Sequence, residues 1–446
     1  MKACFLSFAI LALFASAGAV PWPIAPFDSM HTLGNNWGEY QEYGTGPYYH
    51  NGIDIITVGQ QGAEVHAVRH GWVKAWGTIQ YEYHYRLAIC DTSSDVTGRQ
   101  TGWLYAHIDS DRTHKAVGDE VQVGDLIGYL VPWPVPGFDH CHFARISDTG
   151  ATWNRFPEPT WWFIENPLLE LTPNADLVPP VFENARTSQR FAFCRNDSST
   201  YQQPTNLSGD LDIIARVYDK TGYTTTDPTW DKLVPYQMDY MIRSAGGTVV
   251  VPWTMSFQFS NVLAPTNDSL SARLLYKRDN TCYTLGDYDA REYYFIITNT
   301  DGDSTIELSD AAGAWASEST ADGDYWVIAR ALDVSSNTTY DSMLVTTNNG
   351  VTAVAEQVRP VLSQPLSVTP GVTRGPYRID FGLGQATDVR LRVCDAAGRV
   401  VATHASRRLE SGAHTATGTI SGSGVYVVQL TLGNGDTYTR KLVVIK

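Results

Sequence analysis

Short apolar or alternating runs, broken almost everywhere by Gly, Pro, Asn and Asp, fill this chain, and helical periodicity is scarce. Such punctuation belongs to strands and turns, so the expected fold class is mainly β. Segments 64–76, 85–90, 102–108 and 140–146 read as strands of a β domain over residues 20–175, which closes on Trp161-Trp162-Phe163 and Asn166-Pro167. A Pro-rich junction at 172–180 precedes a second β block, 176–358, with strands at 211–218, 237–242 and 293–297. Residues 322–347 there read as the last two strands of an immunoglobulin-like sandwich. A further junction at 359–371 opens the last domain, 359–446, a second sandwich. In it Val389, Leu391 and Val393 alternate with Arg390, Arg392 and Cys394, and 433–436 is a hairpin turn between 425–432 and 437–445. A chain of 446 residues is too long for one core, in keeping with several domains.

Charge and composition narrow the function classes. With 32 basic against 47 acidic residues the net charge is −15, and the acidic residues form no runs. Nucleic acid is excluded as an expected partner, because phosphate binding needs a basic surface. Met1 and Lys2, the apolar run 5–14 and the small-residue sites Ala15-Ser16-Ala17 and Ala17-Gly18-Ala19 have the form of a signal peptide, with cleavage expected after Ala19. The run is shorter than the ~20 residues of a membrane span. A secreted or cell-surface location is therefore expected, with no transmembrane span in the mature chain. Cys90, Cys141, Cys194, Cys282 and Cys394 then remain, an odd number without C-x-x-C spacing, which disfavours a cysteine zinc cluster. Pairs 90/141 and 194/282 could be disulfides; isolated buried thiols fit better.

The chemistry concentrates early. Nine of eleven histidines lie between His31 and His142. In His50-Asn51-Gly52-Ile53-Asp54 a fully extended chain would hold the two outer side chains about 13 Å apart at ~3.3 Å per residue, too far for one ion. A shared metal requires a turn, and Asn51-Gly52 is a turn dipeptide. In His140-Cys141-His142 the period of a strand sends both imidazoles to one face and Cys141 to the other. His107 ends the strand-like Tyr105-Ala106-His107. Each motif alone also fits ordinary structural histidines; the order of the set carries more.

Taken in order, HNGIDI, GAEVHAVRHGWVKAW, GWLYAHID, VGDEVQVGDLIGYL and HCHFARI resemble the lysostaphin-like zinc endopeptidases, over most of residues 45–146. The resemblance implies Zn2+ as cofactor, with His50, Asp54 and His142 as metal ligands and His107 and His140 as the catalytic pair. It implies peptide cross-links of peptidoglycan as substrate. Three ligands leave a coordination position for water, as a catalytic zinc requires. H-E-x-x-H is absent, so histidine must serve as base. His66, His70, His84, His114, His31, His404 and His414 match no ligand position. Two departures bear on substrate choice: Cys141 and Ala144 stand where the family commonly has Leu and an acidic residue, and the loop VPWPVPGFD before His140 replaces small Gly and Ser residues. That loop is expected to line the cleft, and residues 34–49 are placed where they could occlude it.

The last domain resembles, more loosely, the sorting domains read by the type IX secretion system, through VRLRVCDAAGRVV, SGVYVVQLTL and the ending RKLVVIK. That likeness implies secretion machinery as a partner; the same features also fit an ordinary sandwich with a spacing or binding role. Two rival functions remain at this level. One is a non-catalytic wall-binding or regulatory protein that keeps the peptidase fold, the other a surface adhesion protein whose sandwiches are the working part.

Overall fold

Strand His140–Thr149 is buried on both faces along nearly its whole length and forms the axis of the N-terminal sheet. One edge pairs antiparallel with Arg99–Ala106. The other pairs first with Ile53–Ile56 and then with Trp162–Glu165. Beyond Arg99–Ala106 the sheet continues through Arg86–Cys90, Gly71–Gly77 and Glu120–Val121. Strand alternation sorts the side chains: Leu87, Ile89, Trp103, Tyr105, Cys141 and Phe143 enter the large core, whereas Ala88, Cys90, Leu104, Ala144 and Ile146 pack with Trp153 on the opposite face. The protein, seen here as a computed structural model, is described over residues 19–445 except 43–45, 58–61, 78–82, 84, 94, 114, 151–152, 154–161, 221–231, 261–268, 287–290, 351–365, 371, 384–385, 397, 411 and 434–436. The signal segment before Ala19, His84, His114, most of the second junction and the tip of the last hairpin lie outside the described residues.

Two further antiparallel sheets follow. In one, Val181–Glu183, Phe191–Arg195, Tyr294–Ile296 and Trp315–Ala316 all pair with the long strand Asp210–Tyr218. In the other, Val249–Gln258, Gln237–Ser244, Gly323–Leu332 and Thr338–Thr347 run in that order. The pairing of the last two agrees with the strand reading of 322–347. The fold is mainly β throughout. The described residues up to 350 form one compact unit and those from 366 another. The 172–180 junction thus lies inside the first unit, whose core runs without a break from Trp22 and Trp37 through Phe143 to Phe257, Tyr276 and Phe295. The second unit is a sandwich of a three-stranded and a five-stranded sheet on its own core, with Val389, Leu391 and Val393 inside. Among the described residues no helix is long and apolar enough to cross a membrane. All five described cysteines are free, four of them buried.

Three carboxylates meet in the first unit. Asp176, Asp219 and Asp333 each bring an oxygen within 4.8 Å of the others. Burial, then the charge of Asp333, pushes Asp176 up to about 6; burial, then its two neighbours, raises Asp219 well above the ordinary carboxylate value; burial also raises Asp333. A raised carboxyl pKa stabilises the fold below the unfolded pKa, and that stabilisation is lost as pH rises through the folded pKa. In buffer containing a chelator, Asp219→Asn is therefore expected to melt several degrees above wild type at pH 8, with the gap closing toward pH 5. Melting curves at the two pH values check this; an equal gap at both would contradict it.

Candidate metal centre

A bend at Gly52, just before strand Ile53–Ile56, brings His50 back beside Asp54. His50 Nε2 lies 3.3 Å from Asp54 Oδ1. Antiparallel pairing sets His142 directly opposite Asp54, and its Nδ1 is 3.0 Å from Asp54 Oδ1 and 3.0 Å from His50 Nε2. Gly52 is required for this approach: a Cβ there would stand 2.7 Å from His142 Nε2 and 2.8 Å from the Phe143 carbonyl oxygen. Sequence reading identified Asn51-Gly52 as a turn; the close seat it gives His142 had no sequence signal.

His140 projects on the same strand face as His142, and its Nε2 is 3.8 Å from Asp54 Oδ1. His107 follows strand Arg99–Ala106 with φ of 63°, in the left-handed region that a non-glycine residue rarely occupies. Its ring lies against His140, with centroids 4.5 Å apart, and 6.2 Å from that of His142. All five sequence-selected residues therefore meet in one place. The loop before His140 contributes Trp133, which packs edge-on against both His107 and His140 at 4.4 and 4.7 Å. The unassigned histidines among the described residues have partners elsewhere: His66 with the Gly124 carbonyl, His70 with Glu120, His31 with the Pro26 carbonyl, His404 with Tyr377 and His414 with the Glu410 carbonyl.

Hydrogen bonds fix three of the ring tautomers. A carbonyl oxygen can only accept, so Nδ1 carries the proton where His50 meets Asn36 O at 3.0 Å, His107 meets Tyr83 O at 2.5 Å and His140 meets Phe138 O at 2.7 Å. In its neutral form each of these rings offers an Nε2 lone pair. Burial lowers the pKa of His107 well below the ordinary histidine value, with His140 and His142 adding to the effect. Burial also lowers His140 and brings His142 to about 4. Burial opposes charge on His50 too, but Asp54, and then Glu39, outweigh it and raise that pKa. Asp54 is held well below the usual carboxylate range: its burial is overcome by His50, His140 and His142.

The donor set fits zinc. One atom each from His50, Asp54 and His142 lies within 4.8 Å of the others. Two donors at about 2.1 Å from a tetrahedral ion stand roughly 3.4 Å apart, close to the separations of 3.0 and 3.3 Å here. The His50 Nδ1–H bond to a backbone carbonyl is the usual second support of a ligating imidazole. Sequence reading missed the residues behind this set. Asn35 donates from Nδ2 to Asp54 Oδ2 at 2.6 Å, and Asn36 supplies the His50 carbonyl partner. Asn35 and Asn36, in the segment that could occlude the cleft, thus brace two of the three donors.

No family model matches this chain, and no curated protein matches it. Among solved structures, the catalytic domain of the antimicrobial peptidase lysostaphin from Staphylococcus simulans is 22% identical, with a TM-score of 0.23 and coverage of 31% of this chain and 90% of that one. CbpA from L. salivarius REN is 20% identical, with a TM-score of 0.21 and coverage of 33% and 92%. Dimeric latent PorU from Porphyromonas gingivalis is 13% identical, with a TM-score of 0.21 and coverage of 85% and 34%. Such scores are too low to define a shared fold.

Proposed function

We propose that this chain is an exported zinc endopeptidase that hydrolyses peptide bonds in peptidoglycan cross-links. The observation that carries the reading is the convergence of His50, Asp54 and His142 on one point, with His107 and His140 packed against it. Peptidoglycan as substrate, and secretion machinery as partner of the last domain, rest on the motif resemblances alone. His50, Asp54 and His142 would hold the ion. Zinc bound there supplies Lewis acidity toward a water molecule and toward the scissile carbonyl.

The remaining chemistry belongs to the chain's own groups. His140 and His107 each have Nδ1–H tied to a backbone carbonyl, which makes Nε2 the acceptor nitrogen of each neutral ring, and that of His140 lies 3.8 Å from Asp54 Oδ1. Both are buried and neutral at neutral pH, the state a general base needs. One takes the proton of the attacking water at Nε2. The imidazolium so formed stabilises negative charge on the former carbonyl oxygen and can pass its proton to the leaving amine. Trp133 against both rings limits water access and holds their orientation.

The test uses the full chain, one equivalent of zinc and purified sacculi, with new peptide amino termini counted over time. Release is expected, stopping on addition of chelator and returning with zinc. Zinc-loaded protein that frees no amino termini would overturn the enzyme reading and leave a wall-binding or adhesion role.

A further inference from the structure

We propose that Arg291, which lies just before strand Tyr294–Ile296 in the second β block, is a positioning residue for the metal ligand Asp54, acting through Asn35. The inference rests on the zinc reading above and goes beyond it, because it makes the second block a working part of the centre.

The side chain of Arg291 is 1% exposed. Its Nη2 donates to Asn35 Oδ1 at 3.0 Å and also to the Gly34 carbonyl. Nη1 donates to the Lys232 carbonyl at 3.0 Å, and Nε lies 3.7 Å from the fully buried Glu39 carboxylate. Arginine has donors only, so the end of the Asn35 amide that faces it must be the oxygen. The NH2 end is thereby turned toward Asp54, where it reaches Oδ2 at 2.6 Å. Backbone bonds hold the same register: Asp54 N–H donates to Asn35 O at 2.9 Å, and Gly34 N–H donates to Asp54 O at 2.7 Å.

The consequence falls on the carboxylate. With Oδ2 tied to Asn35, Oδ1 is the oxygen left facing His50 and His142, at 3.3 and 3.0 Å. The chain Arg291–Asn35–Asp54 thus selects which oxygen serves as donor and fixes its direction. Partners of this kind behind a ligand typically change metal affinity about 10–100-fold. Glu39 strengthens the anchor, since it accepts from Tyr293 Oη and from Asn36 N–H while Arg291 lies beside it.

The test measures zinc affinity of the full chain by competition with a chromophoric chelator, for wild type, Arg291→Lys, Asn35→Ala and the double variant. Arg291→Lys keeps a positive charge near Glu39 but has no second nitrogen to hold the Lys232 carbonyl while the first serves Gly34 and Asn35. Asn35→Ala leaves Arg291 and Glu39 in place, and carries the test alone if the first variant does not fold. Each single variant is expected to bind zinc about 10–100-fold more weakly, with the metal-free melting temperature close to wild type for Asn35→Ala. The double variant is expected to be no weaker than the weaker single, because both remove one chain of contacts. Wild-type affinity in Asn35→Ala, or losses that multiply in the double variant, would overturn the inference while leaving the zinc centre standing. A wild type that binds no zinc would overturn the zinc reading itself, and this inference with it.

Discussion

His142→Ala is expected to purify without zinc and release no wall peptide, whereas His107→Ala is expected to keep zinc and lose about 10²–10⁴-fold in turnover. The two residues lie in one cluster but have different neighbours. His142 Nδ1 stands 3.0 Å from both other donors, so its loss leaves two ligands where a catalytic zinc needs three. His107 is bound to the Tyr83 carbonyl and packs on His140 and Trp133, outside the donor triangle. Zinc content by mass spectrometry, beside sacculus hydrolysis, reads both arms. Retained activity in both variants would overturn the division of roles.

The second large effect is on stability. Trp103→Ala is expected to cost about 3–5 kcal/mol, lowering the melting temperature of the first unit on the order of 10 °C. Trp103 is fully buried and stacks on Phe143, with ring centroids 5.1 Å apart and planes 9° from parallel. The Arg145 guanidinium covers the Trp103 ring at 4.6 Å, itself held by Asp91 at 2.8 Å and Glu170 at 3.2 Å. Truncation would open a cavity and remove a cation–π contact. Because Trp103 and Phe143 sit on the strands that carry His107 and His142, zinc affinity should fall with stability. Thermal melting with and without zinc measures this. An unchanged melting temperature would mean that the sheet does not depend on this stack.

Strand alternation made much of this molecule legible beforehand. It separated Cys141 from His140 and His142, and Val389, Leu391 and Val393 from their polar neighbours, since both depend only on local period. The five site residues could be picked out because the motifs that hold them are short and arrive in a characteristic order. What stayed hidden is long-range. Arg291 and Asn35 are 256 positions apart, and neither stands in a motif, so only the folded chain brings them together. The same applies to the continuous core. Its members from Val20 to Val345 are ordinary apolar residues whose sequence says that they are buried, not against which partner. His107 is an intermediate case: its position after a strand was readable, its left-handed backbone was not.

X-ray absorption at the zinc edge of the loaded full chain tests the central claim most directly. Two imidazole nitrogens, one carboxylate oxygen and one exchangeable water oxygen are expected at about 2.0–2.2 Å, with no sulfur in the shell. Sulfur scattering, four protein donors, or a spectrum unchanged in Asp54→Ala would contradict a three-ligand centre built from His50, Asp54 and His142.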